Sequence, residues 1–157
     1  MKDDHDDLHL ELHREADNLG KFAAKISLNA PQGMTKVEAK DLMDTLMVNI
    51  TDQCLSKGAD IIGHVKGFLT SESGTIMASL VDPRIGTDIT DDMSSSRFTS
   101  AELVVHAIVH GIWDPEVRDA TVPVIDKVMK NFGIEYEVLQ DYYEKEKSIS
   151  HHMTEED

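Results

Sequence analysis

Histidine is the residue type with the most chemical potential in this sequence, with eight copies among 157 residues. Three of them, His5, His9 and His13, recur every four residues near the N-terminus. On an α-helix, residues four apart lie about 6 Å apart along the axis, so neighbouring imidazoles could chelate one divalent ion. Such a site would suit a transition metal such as Zn, Ni or Co. On a strand, His9 and His13 would be about 13 Å apart and could not share a metal.

A second set of candidate ligands lies in the middle of the chain, at His64, Lys66, His106 and His110. His64 and Lys66 share one face of a predicted strand. If the segment 101–112 is also a strand, His106 and His110 are too far apart to share a metal, but either can meet His64 on the open side of a sheet. There they would form a ligand-binding site, in which histidine acts as acid or base and lysine holds an anion. If 101–112 is a helix instead, His106 and His110 could hold a metal.

The remaining polar clusters lack the patterns that chemistry requires. Asp88, Asp91 and Asp92 do not match the EF-hand loop, and Ser94 to Ser96 follow no glycine-rich phosphate cradle. The sequence also lacks the motifs of phosphate loops, dinucleotide-binding turns, zinc proteases and serine hydrolases. Cys54 falls on the apolar stripe of a predicted helix, where a buried core thiol is expected. These absences favour a protein that is not an enzyme.

The chain is strongly acidic, with a formal net charge of −15. Residues 1–18 hold seven acids and two bases, and residues 140–157 hold six acids and two bases. This charge repels phosphate backbones, so we expect no nucleic-acid partner. Acidic ends of this kind are usually solvated tails, and their alternative role is to attract cations or a basic protein partner.

The sequence also indicates the cellular compartment of the protein. It contains one cysteine, so no internal disulfide can form, as is typical of a reducing cytoplasm. The N-terminal residues form no apolar signal region, and no apolar run is long enough to span a bilayer. We therefore predict a cytoplasmic protein without membrane contact.

The clearest predicted element is a helix from Lys36 to about Lys57. Thr35 is a favourable N-cap, Glu38 completes a capping box, and Gly58 supplies a stop. Its apolar stripe comprises Leu42, Met43, Leu46, Met47, Ile50 and Cys54. A second helix begins at an Asp114 N-cap with Pro115 in the first position, and Gly133 ends it.

Alternation of apolar and polar residues predicts five strands, at 21–29, 59–70, 75–82, 101–112 and 134–138. The turn at 29–33 should end the first strand, and Pro83 to Ser100 should form a long polar loop. Gly63 and Gly67, four apart in one strand, should leave the same face bare.

These elements predict an α+β protein with the order β-α-β-β-β-α-β. The sheet should be mostly antiparallel with both helices on one face, as in a ferredoxin-like plait with an extra strand. We expect an acidic, histidine-rich segment at 1–18, one α+β domain at 19–139, and an acidic helix or tail at 140–157.

Three functional hypotheses remain open. The leading one is a non-catalytic binding or assembly module that forms a homo-oligomer through its sheet. The alternative is a carrier or sensor of a divalent transition metal that binds through His5, His9 and His13. The third is an enzyme that uses His64, Lys66, His106 and His110 on the open sheet face.

Overall fold

The structure, a computed structural model, describes residues 19–141. These residues form six strands and two helices. The strands are β1 (Leu19–Met34), β2 (Ile61–Ser71), β3 (Gly74–Leu80), β4 (Thr87–Asp91), β5 (Phe98–His110) and β6 (Glu135–Asp141). The helices are α1 (Lys36–Ser56) and α2 (Asp114–Asn131). The prediction of an α+β protein is confirmed, and segment 101–112 is a strand except for its last two residues, as expected.

The six strands form one sheet in the order β4-β3-β2-β5-β1-β6, and every neighbouring pair is antiparallel. The predicted loop at 83–100 was wrong, because it contains β4 and the start of β5. The signal for β4 is weak, since Ile89 is its sole large apolar residue and it lies at the edge of the sheet. Asp91 anchors this edge by ion pairs to Lys36 and Lys40 of α1, at 3.1 and 2.6 Å.

Strand β1 is longer than predicted. It continues through the expected turn at 29–33 to Met34, with an irregularity in its pairing to β5 between Asn29 and Met34. Pro31 is tolerated there because β6 pairs with β1 only as far as Asn29, which leaves this end at the margin of the sheet.

Both helices lie on the same face of the sheet and enclose the core. The stripe predicted for α1 is fully buried, as are the inward residues Ile26 of β1, Val65 of β2 and Leu103 of β5. Thr35 caps α1 as predicted, because its Oγ1 accepts a hydrogen bond from the Glu38 N–H at 3.2 Å. The Glu38 carboxylate lies 3.9 Å from Arg97, which links the start of α1 to the start of β5.

The start of α2 differs by one residue from the prediction. The N-cap is Trp113, whose N–H donates to Glu116 Oε2 at 3.2 Å. Asp114 does not cap its own helix, because its Oδ1 accepts a hydrogen bond from the Lys21 N–H at 2.8 Å. This carboxylate therefore joins the start of α2 to the start of β1.

Gly63 and Gly67 do not share a face, which corrects the sequence prediction. The register between β2 and β5 shifts between Ile62 and His64, so Gly63 is the extra residue of a β-bulge. Gly67 faces the helices, and a Cβ there would lie 2.6 Å from the Cε of Met43. The bulge leaves His64 and Lys66 on the same side of the sheet, opposite the helices.

Candidate functional site

Both helices pack on one face of the sheet and leave the other face uncovered. Alternate residues of each strand point to it, and the antiparallel register arranges them in rows across the strands. Three successive rows cross the central strands: His64–Ile108–Lys21, then Lys66–His106–Ala23, then Met77–Phe68–Val104–Lys25. We refer to this surface as the open face.

His64 and His106 are neighbours on the open face. Their ring centroids are 5.3 Å apart and the planes meet at 67°, an edge-to-face arrangement. Lys66 lies directly across from His106 on β2. Burial first, and then the positive charge of Lys66, lowers the pKa of both imidazoles. Both rings are therefore neutral at pH 7, because the ordinary pKa of histidine is already about 6.5.

Two lysines near this histidine pair carry uncompensated charge. Within residues 19–141, Lys21 and Lys66 make no ion pair with any carboxylate. Lys21 also contributes to the lowered pKa of His106, so both lysines act on the same imidazole. The result is a local basic group on a protein whose net charge is −15.

His110 has a different partner from the other three predicted ligand residues. It pairs with Ile61 at the end of β5, and its Nδ1 is 2.6 Å from Asp60 Oδ1. The Asp60 N–H also donates to the His110 carbonyl at 3.0 Å, and the hydrogen bond from His110 lowers the pKa of Asp60. This side chain therefore fixes the connection between α1 and β2, while His64, Lys66 and His106 form the cluster.

An apolar stripe crosses the open face beside the histidine cluster. It comprises Met77, Phe68 and Val104 on three adjacent strands. Phe68 is 40% exposed and Met77 is 51% exposed. Large apolar side chains that are exposed singly need no explanation, but contiguous ones mark sites of interaction.

Acidic residues lie on the far side of this stripe. Glu102 of β5 and Glu137 of β6 both flank Ser27 of β1, and Glu135 pairs with Asn29 in the next row. Glu102 is 3.3 Å from Lys25 in an ion pair that is nearly half exposed. The open face thus changes from basic to acidic along the strands, with the apolar stripe between.

The other predicted sites take structural roles or lie elsewhere. Asp92 accepts hydrogen bonds from Thr75 N–H and Oγ1 at 2.7 and 2.9 Å, and Asp91 binds the two lysines of α1, so this loop is not arranged around a cation. Cys54 is fully buried, and burial raises the pKa of its thiol to about 11.

The described part of the chain brings few potential metal ligands together. No group of three or more His, Cys, Asp or Glu side chains within residues 19–141 could hold a metal ion. The predicted ligands His5, His9 and His13 lie outside the described residues. Of the central histidines, the structure brings together only His64 and His106, which is fewer than the three protein ligands of typical zinc sites.

A groove of about 200 Å³ lies on the opposite side of the protein, between α2 and the strands β1 and β6. Its walls are mainly apolar, and the Arg118 and Asp141 side chains, 3.4 Å apart, lie among its lining. No histidine lines it, so it is separate from the cluster on the open face. Neither helix in the described residues is long and apolar enough to cross a bilayer.

Comparison with known proteins gives no family. No protein-family model matches the chain, and no curated protein matches it. Among solved structures, the Zn(II)-bound YjiA GTPase from E. coli is similar with a TM-score of 0.32 and 13% identity. A triple mutant of the same GTPase gives the same values. The match covers 68% of this chain and spans 30% of that chain's length.

Several residues of the open face carry no sequence signal that marks them as part of a site. Phe68 shares the alternation of His64 and Lys66 along β2, and Met77 lies on the neighbouring strand. Lys21 and Glu102 are charged residues at outward positions of alternating strands, as is common in sheets. Their grouping depends on which strands are neighbours, and that order could not be read from the local pattern.

Proposed function

We propose that this protein is a non-catalytic assembly module that associates with itself through the open face of its sheet. The single observation that carries the proposal is the apolar stripe of Met77, Phe68 and Val104, of which Met77 and Phe68 are exposed, in the middle of an uncovered sheet. Small α+β sheets with helices on one side, including ferredoxin-like plaits, often cover the other side by dimerising. We propose the same mode of association for this sheet.

The dimensions of the open face are adequate for a stable interface. With strands about 4.8 Å apart and outward residues about 6.8 Å apart along each strand, one outward residue covers about 33 Å², so about 25 outward residues give an area of about 800 Å². A standard protein interface buries about 800 Å² on each partner. A second copy laid over this face would therefore remove the apolar stripe from water with an ordinary amount of contact.

The two edges of the sheet are less suitable for assembly than its face. Strand β4 has only five residues, two of which are aspartates. Strand β6 contains a bulge, because Leu139 has no partner between Val138 and Gln140 in its pairing with β1. Short strands, charged residues and bulges are the devices by which proteins prevent pairing at sheet edges. We therefore assign the association to the face.

Sedimentation equilibrium of a paired set of variants tests this assignment. The replacement of Phe68→Lys with Met77→Lys keeps long aliphatic stems but places two ammonium groups at the centre of the face. The matched control is Val37→Lys with Ile85→Lys, which changes two exposed apolar residues away from the face by the same charge. We expect the wild type and the control to be dimeric at about 10 µM and the face variant to be monomeric.

Either of two outcomes would contradict the proposal. A wild-type protein that remains monomeric up to about 100 µM would exclude self-association in the useful range. A face variant that is as dimeric as the control would place the interface elsewhere. Circular dichroism and urea unfolding of each variant would confirm that the fold is intact.

Binding of a divalent transition metal is the second candidate, and the neutral, adjacent imidazoles of His64 and His106 favour it. Neutral imidazole is the form that ligates metals. Elemental analysis of untagged protein purified without chelator provides the test. One ion per chain that is lost in the pair His64→Gln with His106→Gln would support a central site. Loss in the pair His9→Ala with His13→Ala would support the N-terminal one, and no metal in the wild type would end this candidate.

A further inference from the structure

The open face is electrically polarised along its strands. At one end, two rows carry Lys21, His64, Lys66 and His106, with one carboxylate, Asp88 of β4, at the outer edge of the Lys66 row. We call this the basic end. At the other end, two rows carry Glu102, Glu135 and Glu137, which we call the acidic end. The stripe of Met77, Phe68 and Val104 separates them. The polarity persists although Lys25, in the same row as the stripe, pairs with Glu102.

This polarity distinguishes the two simplest ways of stacking the face on a second copy. Two-fold symmetry is the usual symmetry of homodimers, and a face-to-face pair has its axis in the plane between the sheets. If the axis ran along the strands, the basic end would lie on the partner's basic end, and Lys21 and Lys66 would meet their own copies. If the axis runs across the strands, the basic end lies on the acidic end.

We propose that two copies pack open face on open face about a two-fold axis that crosses the strands at the apolar stripe. Each acidic end then neutralises the partner's basic end. This inference rests on the proposed function, since it specifies the geometry of the same interface. The occupant of the face is a second copy because the face is complementary to itself in both charge and apolar surface.

The rows identify which charges would meet. Lys66 lies one row from the stripe on β2, and Glu102 lies one row from the stripe on the other side, on the neighbouring β5. Reversal about the stripe therefore brings Lys66 of one copy close to Glu102 of the other. Lys21 and Glu135 lie two rows from the stripe on opposite sides, on the adjacent strands β1 and β6, and they meet in the same way.

Glu102 and the two lysines are available for these contacts. Glu102 remains 47% exposed beside Lys25, so its carboxylate can accept a further donor. Lys21 and Lys66 form no ion pair within residues 19–141. Stacked sheets lie about 10 Å apart with their strands rotated by about 30°, a separation that lysine and glutamate side chains can bridge together.

Charge reversal with mixing tests the geometry by sedimentation. The first variant carries Lys21→Glu and Lys66→Glu, and the second carries Glu102→Lys and Glu135→Lys. Each variant alone would place like charges together at both ends of the interface. We expect the dimer dissociation constant of each to rise by about 100-fold. An equimolar mixture should form a heterodimer of near wild-type affinity, because each reversed end then faces its reversed complement.

The control is Lys57→Glu with Lys127→Glu, which changes the net charge by the same amount as the first variant, at two exposed helix-side positions. It should dimerise like the wild type. Dimers that survive both reversals, or a mixture that stays monomeric while each variant is folded, would overturn the proposed orientation and leave self-association intact. A wild type that never dimerises would overturn the proposed function, and the orientation with it.

Discussion

At the scale of single residues, several polar side chains that resemble functional groups in the sequence prove to be structural. Asp91 belongs to the acidic cluster of the predicted loop, yet it is 10% exposed and holds β4 to α1 through Lys40 and Lys36. His110 resembles a ligand, yet it is bound to Asp60. Side chains of this kind cannot be separated from functional ones by sequence, because their partners are distant in the chain.

Asp91 should make the stability of the protein depend on acidic pH. The hydrogen bond from Lys40 is the main cause that lowers the pKa of Asp91 to about 2 from its usual 3.8. A group whose pKa is lower in the folded state stabilises the fold when it is ionised. The stabilisation is complete above about pH 4 and is lost as the pH falls towards 2.

We therefore expect Asp91→Asn to lower the urea midpoint at pH 6, and this difference from wild type should shrink between pH 4 and pH 2. Asp88→Asn is the control, because Asp88 is exposed in the same strand and makes no ion pair within residues 19–141. A wild type and Asp91→Asn variant that differ equally at pH 6 and pH 2 would contradict the role of this charge.

Cys54 should be chemically inert in the folded protein. Its thiol is fully buried in α1, and burial raises the pKa to about 11 from 9.0. Because the thiolate is the reactive form, the native thiol should react with a disulfide reagent at pH 8 about 100-fold more slowly than the unfolded one. Stopped-flow measurement in buffer and in urea checks this, and comparable rates in both would show that the thiol is accessible.

At the scale of elements, the sequence predicted the helices and strands whose signals are local in the chain. The stripe and cap of α1 and the alternation of β5 agree with the structure, because apolar period and capping are local properties. The strand β4 and the bulge at Gly63 were missed. Both depend on tertiary contacts: β4 is held by an ion pair to a helix, and the bulge is visible only against its partner strand.

Two glycines in strands should respond very differently to alanine. A Cβ at Gly67 would approach the methyl ends of Met43 and Met47, which can shift because methionine is flexible. A Cβ at Gly20 would clash with the carbonyl oxygen of Ile112, which is fixed backbone. We expect Gly67→Ala to cost about 1 kcal/mol and Gly20→Ala about 3 kcal/mol or more in urea unfolding. The opposite ranking would show that the backbone at Ile112, between β5 and α2, shifts more easily than the side chains of Met43 and Met47.

At the scale of the whole molecule, the order of strands decides which residues meet. The histidines and lysines of the basic end come from three strands that are far apart in sequence but adjacent in the sheet. The sequence predicted that His64, Lys66, His106 and His110 could lie together on the open side, and in the structure His110 is instead bound to Asp60. It could not predict the acidic end, because that end depends on β6 lying next to β1.

The proposed dimer should weaken with salt but should not disappear. The contacts between the basic and acidic ends are screened at 1 M salt, where the Debye length is about 3 Å. The apolar stripe is not screened. We expect the dissociation constant to rise about tenfold between 0.05 and 1 M NaCl, measured by sedimentation. A constant that falls with salt would indicate an interface without complementary charges.

The hydrogen bond between Lys21 and Asp114 joins residues that are 93 positions apart, and the adjacent β1–β5 pairing spans nearly the same distance. A ribosome must therefore release almost the entire domain before its first strand acquires a partner in the centre of the sheet. Until then the inward-facing Phe22, Ile26 and Leu28 of β1 have no β5 to pair with. Proteins dominated by such distant contacts fold in milliseconds to seconds rather than microseconds. The same interval exposes the nascent chain to aggregation, for which its high negative charge is a safeguard.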